Sequence, residues 1–338
     1  MSAAWQYYFI TLLVYACVNL IAVWGLNLQF GLGGILNFGY IIFQSAGAYV
    51  GAVVALGPAV TGGFQSYILG ANLPWPVPLL AGGAAGGLLS LVVGVVALRP
   101  RRIDYQGMAL LTVGLIMTVI ISDYTGLFNG VAGLSDVPKP FGAALNLGFV
   151  SYGWFFVGIT ACLTVLMYFL VRRLSDSPWG RQLRALRENP RALQGLGVHV
   201  GSKRLQAFVV GGIFAGVSGA LLVEFIGSWS PGAWTLDETF LFFVAVVIGG
   251  RGNNLGVAMG TIVTFTVVLE GVQYLPLFSY TSVAEALQIV VIGLAFIFFV
   301  AWKPNGLIPE RPKRFRGREP APTPSFAIED GNPGGETR

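Results

Sequence analysis

Long apolar runs separated by short polar segments make up most of the chain. Runs of about 20 apolar residues match the length that an α-helix needs to cross a bilayer. Hydropathy predicts about nine spans, near residues 5–26, 33–57, 77–98, 106–126, 150–171, 204–226, 238–250, 255–275 and 284–302. The apolar residues do not alternate as the strands of a membrane barrel would. The pattern therefore predicts an all-α polytopic membrane protein of about eight to ten transmembrane helices.

The predicted span at 238–250 is short enough to be a re-entrant half-helix instead. Basic residues distinguish the alternatives, because Lys and Arg mark cytoplasmic loops. They form three groups, at residues 99–102, 172–204 and 303–338, while Lys139 lies in a loop of the opposite set. The groups share one side only if 238–250 crosses the membrane. This predicts an N-terminus outside and a C-terminus in the cytoplasm.

Composition narrows the function classes. The 338 residues are 55% hydrophobic and 10% charged, with a mean hydropathy of +0.72, which excludes an ordinary soluble domain. The net charge of +5 comes from loops, so no nucleic-acid partner is predicted. Cys17, Cys162 and His199 are too few and too scattered for a disulfide framework, a metal centre or a catalytic triad. We therefore predict no enzyme activity, bound cofactor or metal.

The two ends of the chain have different character. The N-terminus lacks a basic n-region and a clear cleavage site, which predicts a retained first span rather than a removed signal peptide. After Pro304 the sequence is rich in proline, glycine and charge and has no apolar period. It predicts a transmembrane domain over 1–303 and a disordered cytoplasmic tail over 304–338, whose basic start suits an anionic lipid surface.

The longest polar interruption, residues 177–204, predicts two capped helices. Ser177 before Pro178 and Asn189 before Pro190 each combine a capping side chain with proline at the first helical position. The second helix should end near Leu196, before Gly197. The first helix has an apolar stripe suited to the membrane surface, formed by Trp179, Leu183 and Leu186. The second offers a small exposed apolar knob, formed by Ala192, Leu193 and Leu196.

Polar residues inside the apolar runs are candidates for a translocation pathway. Glycines between Gly31 and Gly51 predict a broken helix, in which Asn37 and Gln44 place amides at membrane depth. Among the acidic residues near spans, Asp123, Glu224 and Glu270, we favour Glu270 because polar Gln273 follows one turn later. The rival interpretations are helix packing for the glycines and interfacial carboxylates for the acidic residues.

Glycine pairs four residues apart predict smooth helix faces that pack closely. The sets are Gly47 and Gly51, Gly82 and Gly86, Gly83 and Gly87, Gly212 and Gly216, and Gly252, Gly256 and Gly260. The segment RGNNLG lacks the lysine and hydroxyl residue of a phosphate-binding loop, so packing is the preferred interpretation.

Four segments resemble permeases of ABC importers for branched-chain amino acids, of the LivM type. They are SPWGRQLRALREN with the following ALQGLGV, KRLQAFVVGGIFAGVSGALL, VVIGGRGNNLGVAMG and KPNGLIP. The resemblance implies that the loop over 172–204 carries a coupling helix that docks on an ATP-binding subunit. The implied docking surface comprises Glu188, Asn189, Ala192, Leu193, Leu196 and Gly197.

The resemblance also implies partners. Separate ATPase subunits would use ATP and Mg, a second permease subunit would complete the pathway, and an extracytoplasmic binding protein would deliver the amino acid. A urea or amide importer of the same family, a secondary transporter and a membrane scaffold remain alternatives at this stage. Sparse intramembrane charges disfavour the secondary transporter.

Overall fold

A computed structural model describes residues 3–59, 63–99, 103–142, 148–269, 281–303 and 305–310. Within these ranges regular structure is helical, apart from two isolated β-bridges that join Tyr67 to Phe128 and Leu134 to Trp229. The predicted all-α class is confirmed. The favoured pathway residue Glu270 lies outside the described residues.

The helices follow the apolar runs of the sequence. In chain order they are α1 (Ala3–Leu26), α2 (Ile41–Ala55), α3 (Val77–Ala97), α4 (Ile103–Asp123), α5 (Thr125–Phe128), α6 (Phe149–Asp176), α7 (Pro178–Glu188), α8 (Pro190–Gly195), α9 (Val200–Ile226), α10 (Leu236–Gly249), α11 (Asn254–Thr261) and α12 (Thr281–Trp302). Two π-helical segments extend this set: Asn27–Leu32 continues α1, and Ile262–Leu269 continues α11.

Six helical stretches of the described chain are long and apolar enough to cross a membrane. They are Trp5–Leu32, Val77–Ala97, Tyr105–Asp123, Phe149–Asp176, Val200–Ile226 and Pro231–Gly249. Three shorter apolar helices, Ile41–Ala55, Asn254–Thr266 and Val290–Trp302, coincide with other predicted spans. The membrane-protein class is thus confirmed, whereas the count of about nine spans is not.

The core is built where α2, α3 and α9 pack against one another through glycine. A methyl group on Gly86 would lie 2.8 Å from the Cα of Gly216, and one on Gly82 would lie 2.6 Å from the Cβ of Ala220. Contacts this short leave no room for a side chain, so the backbones approach closely. The predicted packing role of these glycines is confirmed. Of the six candidate spans, α9 is the most buried.

The glycines after α10 have two different roles. A Cβ on Gly260 would lie 2.6 Å from the Cα of Gly249, which brings α10 and α11 together. Gly252 instead lies in the turn before α11, with φ of 80°, so its predicted place on the same helix face is wrong. The four-residue spacing carried no information about where the helix begins.

The glycine-rich element breaks the helix as predicted, but the helix resumes later than expected. After Leu32 the chain is non-helical until α2 begins at Ile41, so the predicted span at 33–57 starts eight residues too early. Gly34 has φ of 67°, a left-handed conformation that glycine adopts without a steric penalty. The reversal lets the amides of this segment turn inward.

The helices α7 and α8 form as their caps predict. The Ser177 hydroxyl accepts a hydrogen bond from the Gly180 amide at 3.3 Å, and the Asn189 side-chain oxygen accepts one from the Ala192 amide at 3.1 Å. The predicted membrane-surface stripe is wrong, because Leu183 and Leu186 are buried in the protein. The stripe faces inward because α7 packs against α6, α9 and the π-helical segment Asn27–Leu32.

Residues 305–310, which the sequence analysis assigned to the tail, pack beside α10. The Leu307 amide donates to the Ile248 carbonyl at 2.7 Å, and the Ile308 amide donates to the Gly249 carbonyl at 3.1 Å. Pro304 and residues 311–338 lie outside the described residues. The domain boundary at residue 303 therefore remains a prediction.

Candidate functional site

The six predicted docking residues lie together at the end of the polar loop, around the short helix α8. Five of them are exposed: Glu188, Asn189, Ala192, Leu196 and Gly197. Asn189 caps α8, and Gly197 ends the segment with φ of 80°. The caps hold this tip in a defined shape even though most of its surface faces away from the protein.

The two leucines of the tip point in opposite directions. Leu193 is only 5% exposed and packs on the core, so the expectation that it belongs to an exposed knob is wrong. Leu196 is 81% exposed and is the only strongly exposed large apolar side chain between residues 171 and 212. None of the described residues covers it. A single exposed apolar side chain is common on protein surfaces, and its place on a capped tip leaves this one available for contact with another protein.

Arginines of α7 connect this tip to the glycine-broken element. The Arg187 guanidinium donates to the Gly31 carbonyl and to the Glu310 carboxylate, the latter at 2.8 Å. Arg184 donates to the other Glu310 oxygen at 2.5 Å and to the Ser175 carbonyl at 3.1 Å. These four hydrogen bonds attach α7 to the end of α6, to the break after α1 and to the segment at 305–310.

Removing the Glu310 carboxylate is expected to loosen this attachment. The Arg and Glu side chains are about three-quarters buried, at 22% to 25% exposed, so Glu310→Gln should cost about 1–2 kcal/mol. We expect a lower melting midpoint for the purified protein and a smaller effect at high salt. Glu188→Gln, which changes an exposed carboxylate at the end of α7, is the matched control. An unchanged midpoint in Glu310→Gln would contradict a structural role for the pair.

Asn37 belongs to a buried network of amide side chains. Its side-chain nitrogen donates to the Gln29 side-chain oxygen at 2.8 Å, and the Gln29 nitrogen donates to the Phe208 carbonyl of α9 at 2.8 Å. Tyr40 adds a bond from its hydroxyl to the Ala22 carbonyl at 2.7 Å. These bonds join the broken segment to α1 and α9, so Asn37 helps to hold the break in place.

A second amide network, which the sequence analysis did not identify, joins the break to the turn before α11. The Asn27 side chain accepts from the Gly252 amide at 3.0 Å and donates to the Asn254 side chain at 3.1 Å. Asn254 donates in turn to the Ser175 hydroxyl at 3.0 Å. Asn253 caps α11 and donates to the Ile308 carbonyl at 3.3 Å. The paired asparagines of RGNNLG were the available signal.

Gln44 lines a cavity of about 240 Å³ between α1, α2, α10 and the π-helical segment at the end of α11. Its side chain is 1% exposed, and its oxygen has no hydrogen-bond partner. Asn19, Glu238 and Thr266 supply further polar groups to the same cavity. Gln44 therefore lines a polar cavity, as the pathway prediction requires. The Asn37 side-chain oxygen also lacks a hydrogen-bond partner, and its place in the pathway remains a prediction.

The described residues contain no group of three or more His, Cys, Asp or Glu side chains that could hold a metal ion. The docking tip and the Gln44 cavity lie on different elements. Six candidate membrane spans with a polar cavity among the helices define a polytopic helical membrane protein.

The family can now be stated. A family model described as "Branched-chain amino acid transport system / permease component" matches residues 8–300. The chain belongs to this family, and the resemblance found in the sequence is confirmed.

Several curated relatives agree. A probable branched-chain amino acid transport permease protein LivM of Methanocaldococcus jannaschii is 29% identical, over 85% of this chain and 89% of its own length. The high-affinity LivM permease proteins of Salmonella typhimurium and Escherichia coli are each 29% identical, over 84% of this chain and 66% of their own length. A ribose import permease protein of Haemophilus influenzae is 26% identical over 73% of this chain. No solved structure gives a significant match.

Proposed function

We propose that this chain is a transmembrane permease subunit of an ATP-driven importer for branched-chain or other small amino acids. The observation that carries the proposal is the exposed Leu196 on a capped tip, in a chain whose family consists of branched-chain amino acid permease components. The chain would lie in a bacterial inner membrane with about nine spans, its N-terminus outside and its C-terminus in the cytoplasm.

The partners follow from the same family. ATPase subunits, which use ATP and Mg, would dock on Glu188, Asn189, Ala192, Leu196 and Gly197, with Leu193 anchoring the tip from below. A second permease subunit would complete the pathway, and an extracytoplasmic binding protein would deliver substrate. The chain itself would contribute no ATPase site. Residues 1–303 would form the permease domain and 304–338 its tail.

The contacts of α7 offer a route from the tip to the membrane region. When the ATPases close, they would move α8 and with it α7, whose Arg187 is bonded to the Gly31 carbonyl at the helix break. The break is joined to α9 through Gln29 and to α11 through Asn27. A rigid-body shift of these elements would open the Gln44 cavity to alternate sides. Glu270, which follows the cavity residue Thr266 in the sequence, remains a pathway candidate.

Import by a reconstituted complex tests the proposed function. The permease, its partner permease, the ATPases and the binding protein encoded beside it are purified and placed in liposomes that contain ATP and Mg. We expect uptake of labelled leucine that depends on ATP and not on an ion gradient. Parallel assays with urea and with ribose separate the amide and sugar importers. Ion-driven uptake, or transport of urea without leucine, would contradict the proposal.

A further inference from the structure

A second cavity, of about 330 Å³, lies at the opposite end of the helices from the docking tip. It is bounded by the ends of α2 and α9, the start of α3, and the loops around Trp75 and Lys139. Its volume is at the lower end of the range of about 300–1,000 Å³ that small-molecule sites occupy. The topology prediction places it on the extracytoplasmic side. Neither the pathway candidates nor the docking surface includes it.

One buried polar group of this cavity is left without a full set of partners. Glu224 is 1% exposed, and its Oε2 oxygen accepts no hydrogen bond. The Trp75 indole N–H lies beside this carboxylate and has no other acceptor. A buried carboxylate oxygen without a donor is costly, so a ligand that supplies a donor or a cation would bind favourably.

Lys139 brings a positive charge to the same cavity. Its ammonium group lies 5.3 Å from the ring centre of Phe149 and 5.5 Å from that of Tyr152. The Tyr152 hydroxyl donates to the Pro140 carbonyl at 2.9 Å, which fixes the loop that carries the lysine. Lys139 forms no ion pair with a carboxylate of the described residues. The cation is therefore positioned by aromatic rings and is available to an anion.

The apolar part of the cavity suits a small aliphatic group. Pro74, Pro78, Pro138 and Phe141 contribute to its wall, and the Trp75 and Phe141 rings lie 5.3 Å apart. A zwitterion with a short branched side chain matches all three features: an ammonium for Glu224, a carboxylate for Lys139 and an aliphatic group for the wall.

We infer that this cavity is an extracytoplasmic binding site for the free α-amino acid, in which Glu224 binds the ammonium group and Lys139 binds the carboxylate. The inference rests on the proposed function, since it names the substrate class that the permease would accept from its delivery protein. The site would hold the substrate at the extracytoplasmic entrance before it passes toward the Gln44 cavity.

Three probes that differ by one charged group test the site. Saturation-transfer NMR is measured on the permease complex with its ATPases, without the binding protein, in phosphatidylcholine nanodiscs. The probes are L-leucine, L-leucinamide, which lacks the carboxylate, and 4-methylpentanoate, which lacks the ammonium. Wild type should bind leucine more tightly than either analogue. Glu224→Gln should weaken leucine and leucinamide about tenfold or more and spare 4-methylpentanoate. Lys139→Gln should weaken leucine and 4-methylpentanoate and spare leucinamide.

The pattern of affinities across the three probes distinguishes substrate recognition from a structural role of these residues. Asp123→Asn, a carboxylate at the exposed end of α4, is the control and should leave all three affinities unchanged. Equal weakening of all probes, absence of any weakening, or no binding of leucine to wild type would overturn the inference. Loss of leucine binding on adding phosphatidylethanolamine would assign the cavity to that lipid headgroup and would also overturn it. A complex that imports leucine but gives any of these results refutes the site alone, whereas one that imports no leucine refutes the proposed function.

Discussion

Leu196→Asp is expected to reduce ATP-driven leucine uptake about tenfold or more while leaving membrane insertion and the melting midpoint unchanged. Leu196 is 81% exposed, so aspartate at this position disturbs no contact within the chain. A buried apolar anchor at the centre of an interface typically contributes 2 kcal/mol or more to binding, and a charge there also carries a desolvation cost. The measurement is uptake in proteoliposomes, with ATPase activity and ATPase co-purification recorded in parallel.

Leu193→Asp is the matched control on the same helix. Leu193 is 5% exposed and packs on the core, so a carboxylate there is buried without a partner. We expect a lower melting midpoint and lower yield, in contrast to Leu196→Asp. Full uptake and normal ATPase co-purification in Leu196→Asp would contradict a docking role for the tip. Loss of folding in both variants would show that the tip is part of the core.

The local features of this tip were predictable because they depend on neighbours in sequence. Ser177 and Asn189 cap helices through residues three positions away, and proline follows each. The direction of each leucine was not predictable, because it depends on how α8 sits on α9. The stripe of α7 illustrates the same limit: Leu183 and Leu186 lie on one face, but their sequence does not say whether membrane or protein covers that face.

Inside the helices, too, local features were predictable and long-range contacts were not. Close packing was predictable from the small size and regular spacing of Gly47, Gly82 and Gly216, because both are local properties of the sequence. The bond between Asn27 and Asn254 joins residues 227 positions apart, and no periodicity records it. Gln44 and Asn37 were equivalent in sequence, since both are amides in an apolar run. The turn at Gly34 and the start of α2 at Ile41 place Asn37 in the broken segment and Gln44 on a helix that lines a cavity.

Glycine at the centre of the core gives the second large expected effect. A Cβ on Gly216 would lie 3.1 Å from the Cα of Gly86 and would also collide with the Gly82 carbonyl oxygen. Both obstacles are backbone, so a larger residue must push α9 away from α3. We expect Gly216→Val to destabilise the protein by about 1–3 kcal/mol or more and Gly216→Ala by less. The measurement is the melting midpoint and yield of the detergent-purified protein.

Gly201 on the same helix provides the control, because it is exposed and a Cβ there would meet no atom within 4 Å. Gly201→Val makes the same glycine-to-valine replacement at a position without packing contacts. Valine is also a slightly better helix former than glycine. Its midpoint should therefore equal or slightly exceed that of wild type. Equal midpoints for Gly216→Val and Gly201→Val would show that α3 and α9 separate without penalty. The glycine contact would then not be what holds these two helices together.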